Sequence, residues 1–126
     1  MQKYNHFVNG KEMLRNNGEY FETENPYTCE KWAEIAKGNA HDVDVAVHVA
    51  KEAFDNNWSK TKPTERGKLL VRLAELVERE AQKLGEIEVK DNGKLIAEMG
   101  AQTKYLAEWY RSVSYTHLTL PTILLV

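Results

Sequence analysis

The chain has 126 residues, 42% of them hydrophobic and 29% charged, with 17 basic against 19 acidic side chains and a formal net charge of −2. That length fits one domain or a large piece of one, and folding can bury roughly two thirds of its unfolded surface. The apolar content excludes a disordered chain, and the interleaving of the two signs excludes the clustered basic patch of a nucleic-acid binder.

The expected elements begin with short strands. Tyr4-Asn5-His6-Phe7-Val8 reads as extended, and Asn9-Gly10 after it accepts positive φ at both positions, so it closes a tight hairpin. Glu19-Tyr20-Phe21-Glu22-Thr23 is a second extended run, stopped by Asn25-Pro26 because proline biases its predecessor away from helix. Trp32-Ala33-Glu34-Ile35-Ala36 gives a third strand, ended by Gly38.

Three amphipathic helices are expected next. Asn39 is a plausible N-cap with Asp42 in the first turn, and Val43, Ala46, Val47, Ala50 and Phe54 form one apolar stripe up to the break at Asn56-Asn57-Trp58. The second helix opens at Pro63, whose missing N–H has no partner at a first helical position anyway. Leu69, Leu70, Leu73, Leu76, Val77 and Leu84 keep helical spacing, and the helix is expected to run unbroken to Lys90 before Asp91-Asn92-Gly93 ends it. A third helix covers about residues 95–111, with Ile96, Met99, Thr103, Leu106 and Tyr110 on one face. Gly100 in its middle weakens it by roughly 1 kcal/mol against Ala, a position that suits the close approach of another element. The last fifteen residues, SVSYTHLTLPTILLV, carry no Lys, Arg, Asp or Glu and read locally as strand broken by Pro121.

Candidate chemistry is thin. A thiol can be a nucleophile, but Cys29 sits in the turn Pro26-Tyr27-Thr28-Cys29-Glu30 with no His near in sequence to act as its base, so it reads as a turn residue. The four histidines, His6, His41, His48 and His117, have no ligand spacing. The seven glycines are scattered and form no phosphate-binding loop. Glu75, Glu78 and Glu80 beside Arg72 and Arg79 read as a solvated charged face. Tyr105 and Trp109, one turn apart, read first as core and second as the wall of an apolar substrate passage. A lone cysteine, the absence of a signal-peptide pattern at the start and the absence of any run of roughly 18 apolar residues point to a cytoplasmic protein that does not cross a membrane.

Taken together, several stretches resemble the amino-terminal part of the aldehyde dehydrogenase superfamily. They are Phe7-Val8-Asn9-Gly10-Lys11, then Thr23-Glu24-Asn25-Pro26-Tyr27-Thr28, with Cys29-Glu30 where the family often has Gly-Glu. Asp42-Val43-Asp44, Ala46-Val47, Ala50, Ala53-Phe54 and Trp58 follow, then Glu65-Arg66-Gly67-Lys68-Leu69-Leu70, Leu73-Ala74 and Leu76-Val77-Glu78, and finally Asp91-Asn92-Gly93-Lys94. Each is weak singly; their order and spacing over residues 7–111 carry the match. The resemblance implies an α/β fold: the N-terminal part of the family's Rossmann-like NAD(P)-binding domain, β-hairpins followed by three amphipathic helices, without the central parallel sheet. It implies a parent oxidoreductase that converts a small-molecule aldehyde to a carboxylic acid with NAD or NADP, as a homodimer or homotetramer. The family's nucleophile, base and cofactor-binding strands match nothing in this chain, so residues 1–126 are expected to be inactive alone and no catalytic or cofactor-binding residue is assigned. One feature transfers: a structural monovalent cation held by main-chain oxygens at Thr23 and Glu24 and by the Asp91 carboxylate, oxygen ligands that suit a hard ion. The family pattern is lost at Ser112, so residues 1–111 are read as the domain piece and residues 112–126 as a non-native tail. The alternative reading is a small non-catalytic helical module that binds a partner.

Overall fold

The computed structural model describes residues 1–13 and 19–123, with side chains to residue 116. The chain divides into two compact units, residues 1–60 and 61–126. No helix of the described residues is long and apolar enough to cross a membrane.

Among the described residues the first unit holds five strands, one α-helix and a 3-10 turn. β1 (Gln2–Tyr4), β2 (His6–Val8), β3 (Lys11–Met13), β4 (Tyr20–Asn25) and β5 (Glu30–Ala36) build two small sheets. β2 and β3 pair antiparallel with Val8 opposite Lys11, so the loop is Asn9-Gly10 alone. Both loop residues have positive φ, 54° and 73°, as a two-residue hairpin with the right twist requires. The other sheet has the order β1-β5-β4, with β1 parallel to β5 and β4 antiparallel to it. Residues 4–8, expected as one strand, are therefore two. Asn5 marks the change of sheet: its Oδ1 accepts a hydrogen bond from the Tyr20 hydroxyl at 2.6 Å, and its Nδ2 donates to Glu12 at 3.2 Å. A polar residue pinned from both sides leaves the ladder at that point.

α1 (Ala40–Asn56) starts as expected. Asn39 caps it with a complete capping box: its side chain accepts from the Asp42 amide at 3.0 Å, and the Asp42 carboxylate accepts from the Asn39 amide at 2.8 Å. The helix ends at Asn57 and a 3-10 turn, Trp58–Lys60, follows.

The second unit is helical. α2 (Pro63–Arg79) begins with Pro63 in its first turn, but the helix expected to reach Lys90 stops at Glu80, whose φ of −95° and ψ of 7° break it. α3 (Ala81–Asn92) resumes at once and ends on Gly93 in the left-handed conformation. Among the described residues there are thus four α-helices rather than three. The break lets Ala81 and Gly85 bury; neither a proline nor a glycine marks it in the sequence. α4 (Ile96–Ile123) is 28 residues long, so residues 112–123 are helical and the local reading of strand is corrected; residues 124–126 lie outside the described residues. Hydroxyl-aliphatic alternation has the right period for a strand, yet the helix continues through it, and at Ser114 and Thr116 the hydroxyls bond back to the carbonyls of Arg111 and Ser112.

Packing in this unit runs along small residues. Gly67 and Ala74 of α2, Ala81 and Gly85 of α3, and Met99, Thr103, Ala107 and Ser114 of α4 are buried. Leu69, Leu73, Leu76 and Leu84, expected to form the inner stripe, are 40–51% exposed. Gly67 and Ala74, outside the expected stripe, are the enclosed positions of α2, and of the stripe itself Leu70 and Val77 are half-buried. Close approach falls at Gly85, where an added Cβ would stand 3.2 Å from Thr103 Oγ1 and 3.5 Å from the Gly100 nitrogen; α3 thus comes close to the backbone at Gly100, as expected, while a Cβ added at Gly100 itself would meet nothing within 4 Å.

Candidate functional site

The residues assigned to a cation occupy two places. Thr23 and Glu24 lie on β4, opposite Ala33 and Lys31, and the ladder register shifts between them. Such an irregularity frees backbone groups from pairing and makes main-chain oxygens available. Asp91 sits in the last turn of α3, just before Asn92 and the Gly93 cap. A carboxylate there faces the negative end of the helix dipole, an unfavourable place that a nearby cation offsets. Thr23 and Glu24 belong to the first unit and Asp91 to the second. Among the described residues no cluster of three or more His, Cys, Asp and Glu side chains could hold a metal ion, so a cation here would depend on main-chain donors.

The turn after β4 is built by Asn25, whose side chain accepts from the Tyr27 amide at 2.9 Å while its carbonyl accepts from the Cys29 amide at 2.8 Å. Cys29 is exposed and has a φ of 57°, in the left-handed region that favours glycine. The turn-residue reading holds, and the geometry explains why a glycine suits this position. Of the histidines, His48 pairs with Glu52 on α1 at 3.4 Å and His6 lies against Gly38; the side chain of His117 is outside the described residues.

On the second unit Tyr105 and Trp109 meet edge to face, ring centroids 6.2 Å apart. They are 61% and 62% exposed, so in this chain they are not core. With Ala101, Gln102 and Leu106 they line a shallow apolar hollow on α4. The charged face of α2 also differs from expectation. Glu78 is not simply solvated: it accepts from Arg111 of α4 at 2.6 Å, and the same guanidinium holds Glu108 at 2.6 Å. The hydrogen bond from Arg111, then its charge, holds the Glu78 carboxyl below the usual range, and the two carboxylates push Arg111 up. This clamp was missed because its partners stand 33 residues apart, beyond any local spacing rule. No arrangement among these residues pairs a nucleophile with a base.

Known proteins resolve what this geometry alone leaves open. The sequence model of the aldehyde dehydrogenase family matches residues 13–120. The chain is similar to a (Z)-2-((N-methylformamido)methylene)-5-hydroxybutyrolactone dehydrogenase of Acinetobacter baylyi, 40% identical over 112 residues, which are 88% of this chain and 22% of that protein. It is 42% identical over 89 residues to aldehyde dehydrogenase 1 of Tanacetum cinerariifolium, covering 70% of this chain and 18% of that one. In structure it superimposes on the NAD+ complex of aldehyde dehydrogenase from Bacillus cereus with a TM-score of 0.84 and 30% identity, over 90% of this chain and 23% of that one. The chain thus spans about a fifth of the length of the curated relatives it matches. By sequence and by fold, it belongs to the aldehyde dehydrogenase family.

Proposed function

We propose that residues 1–111 are the N-terminal part of the NAD(P)-binding domain of an aldehyde dehydrogenase that oxidises a small-molecule aldehyde to its carboxylic acid with NAD or NADP. The parent acts in the cytoplasm as a homodimer or homotetramer, and the present chain is inactive alone. When bound, NAD(P) supplies the hydride acceptor; the residues here contribute framework, holding helices and hairpins on which the rest of the fold packs. The observation that carries this reading is the unequal burial. Apart from Met99, the buried residues are alanines and other small residues, while Leu73, Leu95, Ile96, Tyr105 and Trp109 are 40–67% exposed. Apolar surface on that scale marks a face made to be covered, which argues against the self-contained binding module. The test is to assay the 126-residue chain and a version completed downstream for aldehyde-dependent NAD(P)H formation. Only the completed protein should turn over; turnover by the short chain alone would refute the assignment of inactivity.

The cation reading belongs to the same proposal. Main-chain oxygens at Thr23 and Glu24 and the carboxylate of Asp91 would hold a potassium-sized ion, supported by the ladder irregularity and by the placing of an acid at a helix C-terminus. Asp91→Ala in the completed enzyme should abolish the dependence of thermal stability on potassium; an undiminished dependence would remove the site. Residues 112–126, devoid of Lys, Arg, Asp and Glu, are proposed as foreign to the parent. α4 runs on to Ile123 and the family match to residue 120, so the decision rests on resequencing the gene across codon 111: an uninterrupted native frame through Val126 would refute this.

A further inference from the structure

Asparagine followed by glycine is chemically labile. The deprotonated glycine nitrogen attacks the asparagine Cγ, the bond from Cγ to the amide nitrogen breaks, and ammonia leaves with a proton taken from water. A second water then opens the cyclic imide at either carbonyl and leaves aspartate or isoaspartate. No oxidant or cofactor is needed, and glycine favours the step because no Cβ shields its nitrogen. Three such pairs occur, Asn9-Gly10, Asn17-Gly18 and Asn92-Gly93; the second lies outside the described residues.

The other two are held very differently. At Asn92 both reacting groups are tied: Nδ2 donates to Glu88 at 2.7 Å, Oδ1 accepts from the Lys94 amide at 3.0 Å, and the Gly93 nitrogen donates to the Val89 carbonyl at 2.9 Å. Attack there requires unwinding the end of α3. Asn9 and Gly10 are exposed at a hairpin tip. Among the described residues no side-chain hydrogen bond holds the Asn9 carboxamide, and no backbone carbonyl engages the Gly10 nitrogen. The flanking strands have three residues each, so opening the loop into an attack-competent shape disrupts little. Space around the loop is open too, since a Cβ at Gly10 would meet nothing within 4 Å.

We propose that Asn9-Gly10 is a site of spontaneous amide loss and isoaspartate formation, and that the closing turn of α3 shields Asn92-Gly93 from the same chemistry. Isoaspartate routes the backbone through the β-carbon, which a two-residue loop with positive φ at both positions cannot accommodate, so the damage would unlock β2 from β3.

The chain is aged in mildly alkaline buffer, natively and in concentrated urea, and its tryptic peptides are followed by mass and fragment sequencing. In the native chain Asn9 should convert about tenfold faster than Asn92, and the two rates should converge in urea. Glu88→Ala, which unties the Asn92 amide, should speed conversion at Asn92 and leave Asn9 unchanged. Equal native rates, a rate ratio unaltered by urea, or an Asn92 rate indifferent to Glu88→Ala would overturn the proposal.

Discussion

Gly85 and Gly100 lie on neighbouring helices, and alanine substitution should affect them oppositely. Replacing a glycine inside a helix by alanine gains about 1 kcal/mol from the backbone. At Gly100 that gain is unopposed, because the new methyl meets open space. At Gly85 the methyl would sit 3.2 Å from Thr103 Oγ1, itself bonded to the Met99 carbonyl. Thr103 can yield only by weakening that buried bond, at a cost of about 0.5–1.5 kcal/mol, which cancels the gain. Valine at Gly85 adds overpacking of about 1–3 kcal/mol and should loosen the α3–α4 contact outright. Native-state hydrogen exchange at the Met99, Thr103 and Ala107 amides reads local opening without requiring two-state unfolding. Gly100→Ala should raise protection about fivefold, the factor for 1 kcal/mol, while Gly85→Ala leaves it nearly unchanged and Gly85→Val lowers it. Equal gains from the two alanines would show that the helices are not in the close contact argued above.

Three further outcomes follow from local geometry. A non-glycine residue in the left-handed region costs about 1–2 kcal/mol, partly offset by glycine's greater freedom when unfolded, so Cys29→Gly should stabilise the first unit by about 0.5–1 kcal/mol in urea unfolding; destabilisation would mean the thiol makes a favourable contact. Asn39→Ala removes the capping box and should cost about 1 kcal/mol, read as faster exchange of amides in the first turn of α1. Because the Glu78 carboxyl titrates lower when folded, its pairing with Arg111 contributes stability above the unfolded carboxylate pKa that is lost as pH falls through the folded one. Arg111→Gln should return the Glu78 midpoint in an NMR titration to the ordinary range, and an unmoved midpoint would sink the pairing.

What could be read from sequence was local. Asn39 with Asp42, Asn9-Gly10 and Gly93 each settle their own neighbourhood through a hydrogen bond or a permitted φ, and all three stand where the residues indicated. The order of such signals also sufficed to place the family. What escaped was set by packing between distant segments. The helix breaks at Glu80, Ala81 and Gly85 after it are buried, Gly85 against Thr103 of α4, and nothing in the residues 78–82 says so. The Leu69, Leu73 and Leu76 row looks innermost by hydrophobicity, yet helices that approach along Gly67 and Ala74 leave it outside. Thr23, Glu24 and Asp91 were reached only through resemblance, since no spacing rule joins a bulged strand to a helix end.

The glycine- and alanine-lined seam also has a calorimetric consequence. Heat-capacity increments on melting scale with the apolar area newly wetted, typically about 12–15 cal/mol/K per residue. A chain whose bulky aliphatic and aromatic groups are already wet when folded has little such area left to uncover. Its thermogram should therefore show a step well under that range, with a correspondingly flat dependence of stability on temperature.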